Sequence, residues 1–232
     1  MQYANIITDH PACDEPFTYA IPPAMLGHLE SGSVVLVPVG PKLVHGVVFH
    51  FIRALRSLTR DQLKPITSIV YDHAFIQPYV MAAAEFLHHR YGFGLGIALF
   101  SLLPPFSKRP QESQSVQNYD DLHYRTYEYV ASAAIRPQIY KAMVRRLAKK
   151  SRSVLIIGQN HQSVRRLASF FKTERIPLLI YPETASAKQQ RDFFLKTRDL
   201  ARPTLISGTR GALMASLGSV GAIIVEEPWL PG

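Results

Sequence analysis

Cysteine is almost missing from this sequence of 232 residues: Cys13 stands alone. A lone thiol excludes an intramolecular disulfide and any zinc site built on a cysteine cluster. Long hydrophobic runs are missing too. The longest apolar stretch, residues 93–105, is broken by glycine, serine and proline and is too short to span a bilayer. No basic-then-apolar leader opens the chain, so the expected compartment is the cytoplasm. Metal-ligand spacing is absent among the nine histidines. His88 and His89 are helix neighbours that point apart, and His45 and His50 lack an acidic or cysteine partner at ligand spacing. Acidic residues are the minority, 17 Asp/Glu against 26 Lys/Arg, for a formal charge of +9.

What is present describes a globular protein. Hydrophobic residues make up 47% and charged residues 19%, which excludes overall disorder. The length allows two modest domains. The charge is unevenly placed: residues 1–105 hold six Lys/Arg against seven Asp/Glu, and the remaining 20 basic and 10 acidic residues follow. A basic half favours polyanions through counterion release.

The first half is punctuated like a small curled sheet. Residues 4–7, 17–21, 34–37, 43–51 and 66–70 read as strands. Pro22-Pro23 stops the second of these, and Pro38 with Gly40 turns the chain after the third. Gly40 sits where bare backbone can approach a ligand. Pro78 opens a helix at its first position, with Val80, Ala84 and Leu87 on one face, ending before Gly92. Residues 106–121 are polar and read as a linker. From there strands (127–131, 153–157, 176–181, 203–207, 222–226) alternate with helices (137–150, from Asn160, 185–197). That alternation predicts βαβ units and a parallel sheet. The expected fold is therefore an α+β barrel domain over 1–105, the linker, and a partial α/β domain over 122–232.

Phe17-Thr18-Tyr19, Val37-Pro38-Val39-Gly40, Gly46-Val47-Val48 and Leu63-Lys64-Pro65-Ile66, followed by Leu102-Leu103-Pro104-Pro105, resemble the opening domain of the primosomal protein N′ family of replication-restart helicases. The resemblance implies an OB-like module that captures a DNA 3′ end at a stalled fork, with Phe17, Thr18, Gly40 and Lys64 around the terminal nucleotide. Thr18 departs from the family, where an aspartate contacts the end. A threonine hydroxyl can still hydrogen-bond a 3′-hydroxyl, without charge.

The second half resembles the family's first RecA-like lobe. The matching stretches are Ser153-Val154-Leu155-Ile156-Ile157, the Gly-Thr-Arg region from Ser207 to Leu213, and Ile223-Ile224-Val225-Glu226-Glu227-Pro228-Trp229 in place of the Asp-Glu-x-His box. The chemistry has lapsed. A P-loop needs glycines, a lysine and a Ser/Thr hydroxyl, but its Gly-Lys-Thr falls on Ile135-Arg136-Pro137. Glu226 stands for the metal-binding aspartate, Trp229 for the histidine, and Glu227 alone matches. No room exists for the family's winged-helix domain, and its second lobe and zinc cysteines are not expected after Trp229. Glu226 and Glu227, if consecutive in a strand, face opposite ways and do not form an acid/base pair.

The basic residues Lys141, Arg145, Arg146, Lys149 and Lys150 lie opposite the apolar face of their helix. With Arg210 they are the candidate contacts to DNA phosphates, Lys141, Arg145 and Lys149 first among them. The resulting expectation is a non-motor DNA-binding protein for forked or 3′-ended DNA. It needs no cofactor of its own, since the ATP, magnesium and zinc of the family lack their motifs here. DNA and other primosome proteins are the expected partners, with no membrane. Two alternatives stand beside it. One is a dead interaction module docking on replication proteins. The other is the front part of a split helicase completed by another chain.

Overall fold

The computed structural model describes residues 3–53, 63–72, 74–106, 125–182, 184–198, 200–214 and 219–226. The chain divides into two compact units, Met1–Val116 and Gln117–Gly232.

The first unit is built on a five-stranded antiparallel sheet in the order β2-β1-β4-β3-β5. Its strands are β1 (Tyr3–Thr8), β2 (Phe17–Ala20), β3 (Val34–Val39), β4 (Lys42–Ile52) and β5 (Ser68–Tyr71). The β-branched runs put Val35 and Val37 on the face that meets Ala4, Ile6, Tyr19 and Val48, forming one core. A parallel bridge between Ala20 and Pro65 draws edge strand β2 to the segment that leads into β5, which curls the sheet. Pro38 does not turn the chain as its sequence context predicts; it lies inside β3. β5 pairs with Val34–Leu36, so among the described residues that side of β3 has no ladder partner beyond Leu36, and the missing proline N–H leaves no ladder bond unmade there. The turn is made by Gly40, at φ +58, between β3 and β4.

Two helices close this unit. α1 (Pro78–Tyr91) starts on its proline and ends at Gly92, a left-handed cap whose N–H bonds the His88 carbonyl. It buries Met81 and Ala84, while Val80 and Leu87 are half-buried. α2 (Leu95–Ser101) has no counterpart in the sequence reading, which ends the helix before Gly92 and assigns no element to residues 93–103. Gly96 is there for space: a Cβ at that position would lie 2.5 Å from the Thr8 carbonyl oxygen. Phe106, assigned to the linker from sequence, meets the rings of Tyr71, Phe75 and Phe100 edge-on. The rest of that linker lies outside the described residues, apart from this ring.

The second unit carries a four-stranded parallel sheet, β7-β8-β6-β9. The strands are β6 (Ser153–Ile157), β7 (Leu178–Ile180), β8 (Leu205–Gly208) and β9 (Val220–Val225). α3 (Arg136–Ala148) precedes β6, α4 (His161–Phe170) joins β6 to β7, and α5 (Ala187–Arg198) joins β7 to β8. Asn160 caps α4 in a reciprocal box with Ser163, as its position predicts. One face of the sheet packs on Val144, Leu167 and Phe171; the other on Ala212 with Phe193 and Leu200. β6 is buried along its whole length, as a central parallel strand should be. β9 is one of the two edges, with β7 at the other, and its Ile223 and Val225 are half-exposed. Residues 127–131 form no strand; Tyr127, Tyr129 and Val130 are exposed. No described helix is long and apolar enough to cross a membrane.

Candidate nucleic-acid interface

The first site is a corner of the N-terminal sheet. Alternation along β2 turns Phe17 and Tyr19 to one face and Thr18 to the other. Tyr19 is buried, and its hydroxyl donates to the Pro38 carbonyl at 3.2 Å. Burial, and to a lesser degree the Cys13 thiol, push its phenol up to about 12. The Ala20 N–H donates to the Lys64 carbonyl, and the Ile66 N–H returns a bond to Ala20. The Lys64 ammonium donates to the Gly40 carbonyl at 3.3 Å. Backbone bonds and this ammonium thus hold the ends of β2 and β3 and the residue 64–66 segment together. Gly40 is exposed, and a Cβ there would meet nothing within 4 Å, so among the described residues the corner is open to an approaching group.

Phe17, expected to stack on a base, is half-buried and packs against the core. Its ring is first a wall of the barrel, and only its exposed part can meet a base. Thr18 is on the opposite face, where its hydroxyl donates to Asn5 Oδ1 at 2.9 Å. Asn5 Nδ2 in turn lies 2.9 Å from His50 Nε2. Asn5 and His50 carry no motif, and His50 lies 45 residues from Asn5 in the chain. Only the register of β1 between β2 and β4 could have brought them forward.

The second site lies at the carboxyl ends of β6 and β9. Glu226 follows β9, and its N–H bonds the Ile157 carbonyl. Its carboxylate is buried, 5% exposed, and pairs with Arg136 Nη1 at 2.9 Å. The Tyr140 hydroxyl donates to the same carboxylate, and Arg166 Nη2 stands 3.9 Å from it. Ala133, Pro137 and Phe170 wall the remaining cavity of about 20 Å³. That is room for about one water and not for a phosphate chain. The two positions that sequence placed in a lapsed nucleotide site therefore meet, but as a closed ion pair. Glu227 lies outside the described residues.

The basic helix differs from its expected form. Arg145 is not free for a phosphate: Nε and Nη2 each donate to a Glu174 oxygen at 2.7 Å. This bidentate pair holds the Glu174 carboxyl below the usual carboxylate range, with Lys141 adding a smaller pull in the same direction. α3 ends at Ala148, so Lys149 caps it and Lys150 lies past its end. Arg146, Lys149 and Lys150 are exposed. Arg210 is also exposed, at the start of the 3₁₀ helix Arg210–Met214 after β8. Among the described residues no group of three or more His, Cys, Asp or Glu could hold a metal.

A curled five-stranded antiparallel sheet defines the N-terminal unit as an OB-like module. Residues 5–104 match the model of the PriA-type 3′DNA-binding domain (3′BD). The match covers that stretch alone, less than half of the chain, and makes the N-terminal unit similar to a domain that binds DNA 3′ ends. No curated protein matches the chain.

Proposed function

We propose that the protein engages forked or 3′-ended DNA as a non-motor member of the replication-restart apparatus. In this reading Phe17, Thr18, Gly40 and Lys64 hold the terminal nucleotide. The observation that carries it is the corner itself, where Lys64 is pinned to Gly40 beside β2 within a 3′DNA-binding domain. The second unit is read as a RecA-like lobe that has lost its engine. It supplies phosphate contacts through Arg146, Lys149, Lys150 and Arg210, with Arg145 committed to Glu174.

The absence of motor activity is supported by the Arg136–Glu226 pair. A lysine in a nucleotide site must stay available to phosphates, and a metal-binding carboxylate must stay available to magnesium. Here the two corresponding side chains neutralise each other in a buried cavity. Fluorescence anisotropy of the full chain on forked duplexes, with and without a free 3′-hydroxyl, tests the reading. Binding that prefers the fork with the 3′ end is expected. Failure of every fork to bind at low salt would refute it and leave the interaction-module reading in its place.

A further inference from the structure

α1 turns to solvent a face that a lone surface helix fills with charge. Its inward side carries Met81 and Ala84, with Val80 and Leu87 half-buried. The opposite side carries Tyr79, Ala82, Ala83 and Phe86, all exposed, the two rings to 56% and 60%. Intervals of three and four residues put these four in one stripe. The helix has one carboxylate, Glu85, which is half-buried and off the stripe, and one arginine, Arg90, in its last turn.

Sizes along the stripe read the same in both directions: ring, alanine, alanine, ring. Turned by 180° about a point between Ala82 and Ala83, the stripe meets itself with Tyr79 against Phe86 and alanine against alanine. The small central pair lets two helix axes approach closely, and the rings fill the space on either side. That is the geometry of an isologous interface, in which one patch serves both copies. Charge points the same way. A side chain near a twofold axis meets its own copy, so a charge there repels itself, and the stripe has none from Tyr79 to Phe86. Arg90 lies far from the centre. In an antiparallel pair its two copies stand about 22 Å apart along the axis, at about 1.5 Å per residue; a parallel pair would set them side by side. The rings are also held in advance. Phe86 meets Tyr91 edge-on at 6.5 Å, and Tyr91 lies 6.1 Å from Phe93. Little side-chain freedom is left to lose on association.

We propose that this stripe is the interface of a homodimer, two copies of α1 packing antiparallel across a twofold axis between Ala82 and Ala83. The proposal is independent of the DNA reading above. Tyr79, Phe86, Tyr91 and Phe93, each half-exposed or more, offer on the order of 450 Å² per copy, from about 200 Å² per ring. About 900 Å² for the pair falls among weak interfaces, so dissociation in the micromolar range is expected.

The test is sedimentation velocity of the full chain across the micromolar range. Every sample carries Ile223→Lys, which charges edge strand β9 of the other unit and removes association through that edge. A concentration-dependent monomer–dimer equilibrium is expected, with no larger species. Ala83→Glu and Ala83→Lys should each weaken the dimer by at least about tenfold, since each sets like charges across the axis. Both occupy an exposed helix position that accepts them, so circular dichroism and the thermal transition should not move. Mixed in equal amounts, the two variants should pair with each other and restore the dimer. A chain that stays monomeric at every concentration overturns the proposal, as does a dimer that either variant leaves intact. Loss in both variants without recovery on mixing overturns the twofold axis at Ala82 and Ala83.

Discussion

The Arg136–Glu226 pair allows the most demanding prediction. Both side chains are largely buried, 14% and 5% exposed, and their charges sit 2.9 Å apart. Removing one partner strands the other charge, which costs about 3–5 kcal/mol. Replacing both with apolar groups of similar volume is often neutral or stabilising. Arg136→Met and Glu226→Leu should each lower the thermal transition of the second unit by about 12–20 °C, taking roughly 4 °C per kcal/mol for a unit of this size. The double variant should recover most of that loss. Differential scanning calorimetry on the three variants measures it. A nucleotide site predicts another pattern: magnesium-ATP would stabilise the intact protein by about 2.7 kcal/mol at a hundredfold excess over its Kd. Arg136→Met would then abolish that gain with little loss of stability. A small shift for Arg136→Met together with ATP stabilisation of the intact protein would refute the closed-pair reasoning.

Other outcomes are open to direct measurement. Arg146, Lys149 and Lys150 changed together to alanine should reduce the slope of log affinity against log salt by about 2.7, from about 0.9 per duplex phosphate contact; an unchanged slope would place the phosphates elsewhere. Gly40→Ala forces a side chain into the left-handed region at φ +58, so urea unfolding should show about 1–2 kcal/mol lost from the first unit. The polar segment between Phe106 and Asp121 should take the first cuts in limited proteolysis; preferred cutting within 34–48 would contradict the boundary. Raising the Tyr19 pKa favours its neutral form in the fold. That contribution is complete below the ordinary tyrosine value of 10.0 and should be lost as pH climbs from there to about 12, with Tyr19→Phe abolishing the effect.

Much of the architecture was legible because proline and glycine punctuate it. Pro22-Pro23, Gly40, Pro78 and Gly92 each mark an end that local chemistry dictates. Pro38 was misread for a tertiary reason: one side of β3 is unpaired there, and no local rule reports that. α2 was hidden because Gly96 looks like a breaker until Thr8 is packed against it. Residues 127–131 have strand composition, but a strand needs a partner as well as propensity. Of the corner site, Phe17, Thr18, Gly40 and Lys64 could be named from motif order. Asn5 and His50 could not, since their pairing depends on a register shift between Asn5 and Ile6. Arg145 looked free for the same kind of reason. Its partner Glu174 is 29 residues away on a segment with no periodic signal.

The bare edge of β9 governs how the protein can be handled. Its sequence, Val-Gly-Ala-Ile-Ile-Val, carries neither charge nor proline, and among the described residues no strand pairs with its outer side, beside half-exposed Ile223 and Val225. Such an edge is a template for another chain's strand. Self-association should accordingly rise with protein concentration and persist at salt levels that strip off DNA, because backbone pairing and apolar contact are not screened. Light scattering at high salt therefore separates sticking from function. A single Ile223→Lys gatekeeper would keep concentrated samples monodisperse without touching either the corner on β2 or the cations past α3.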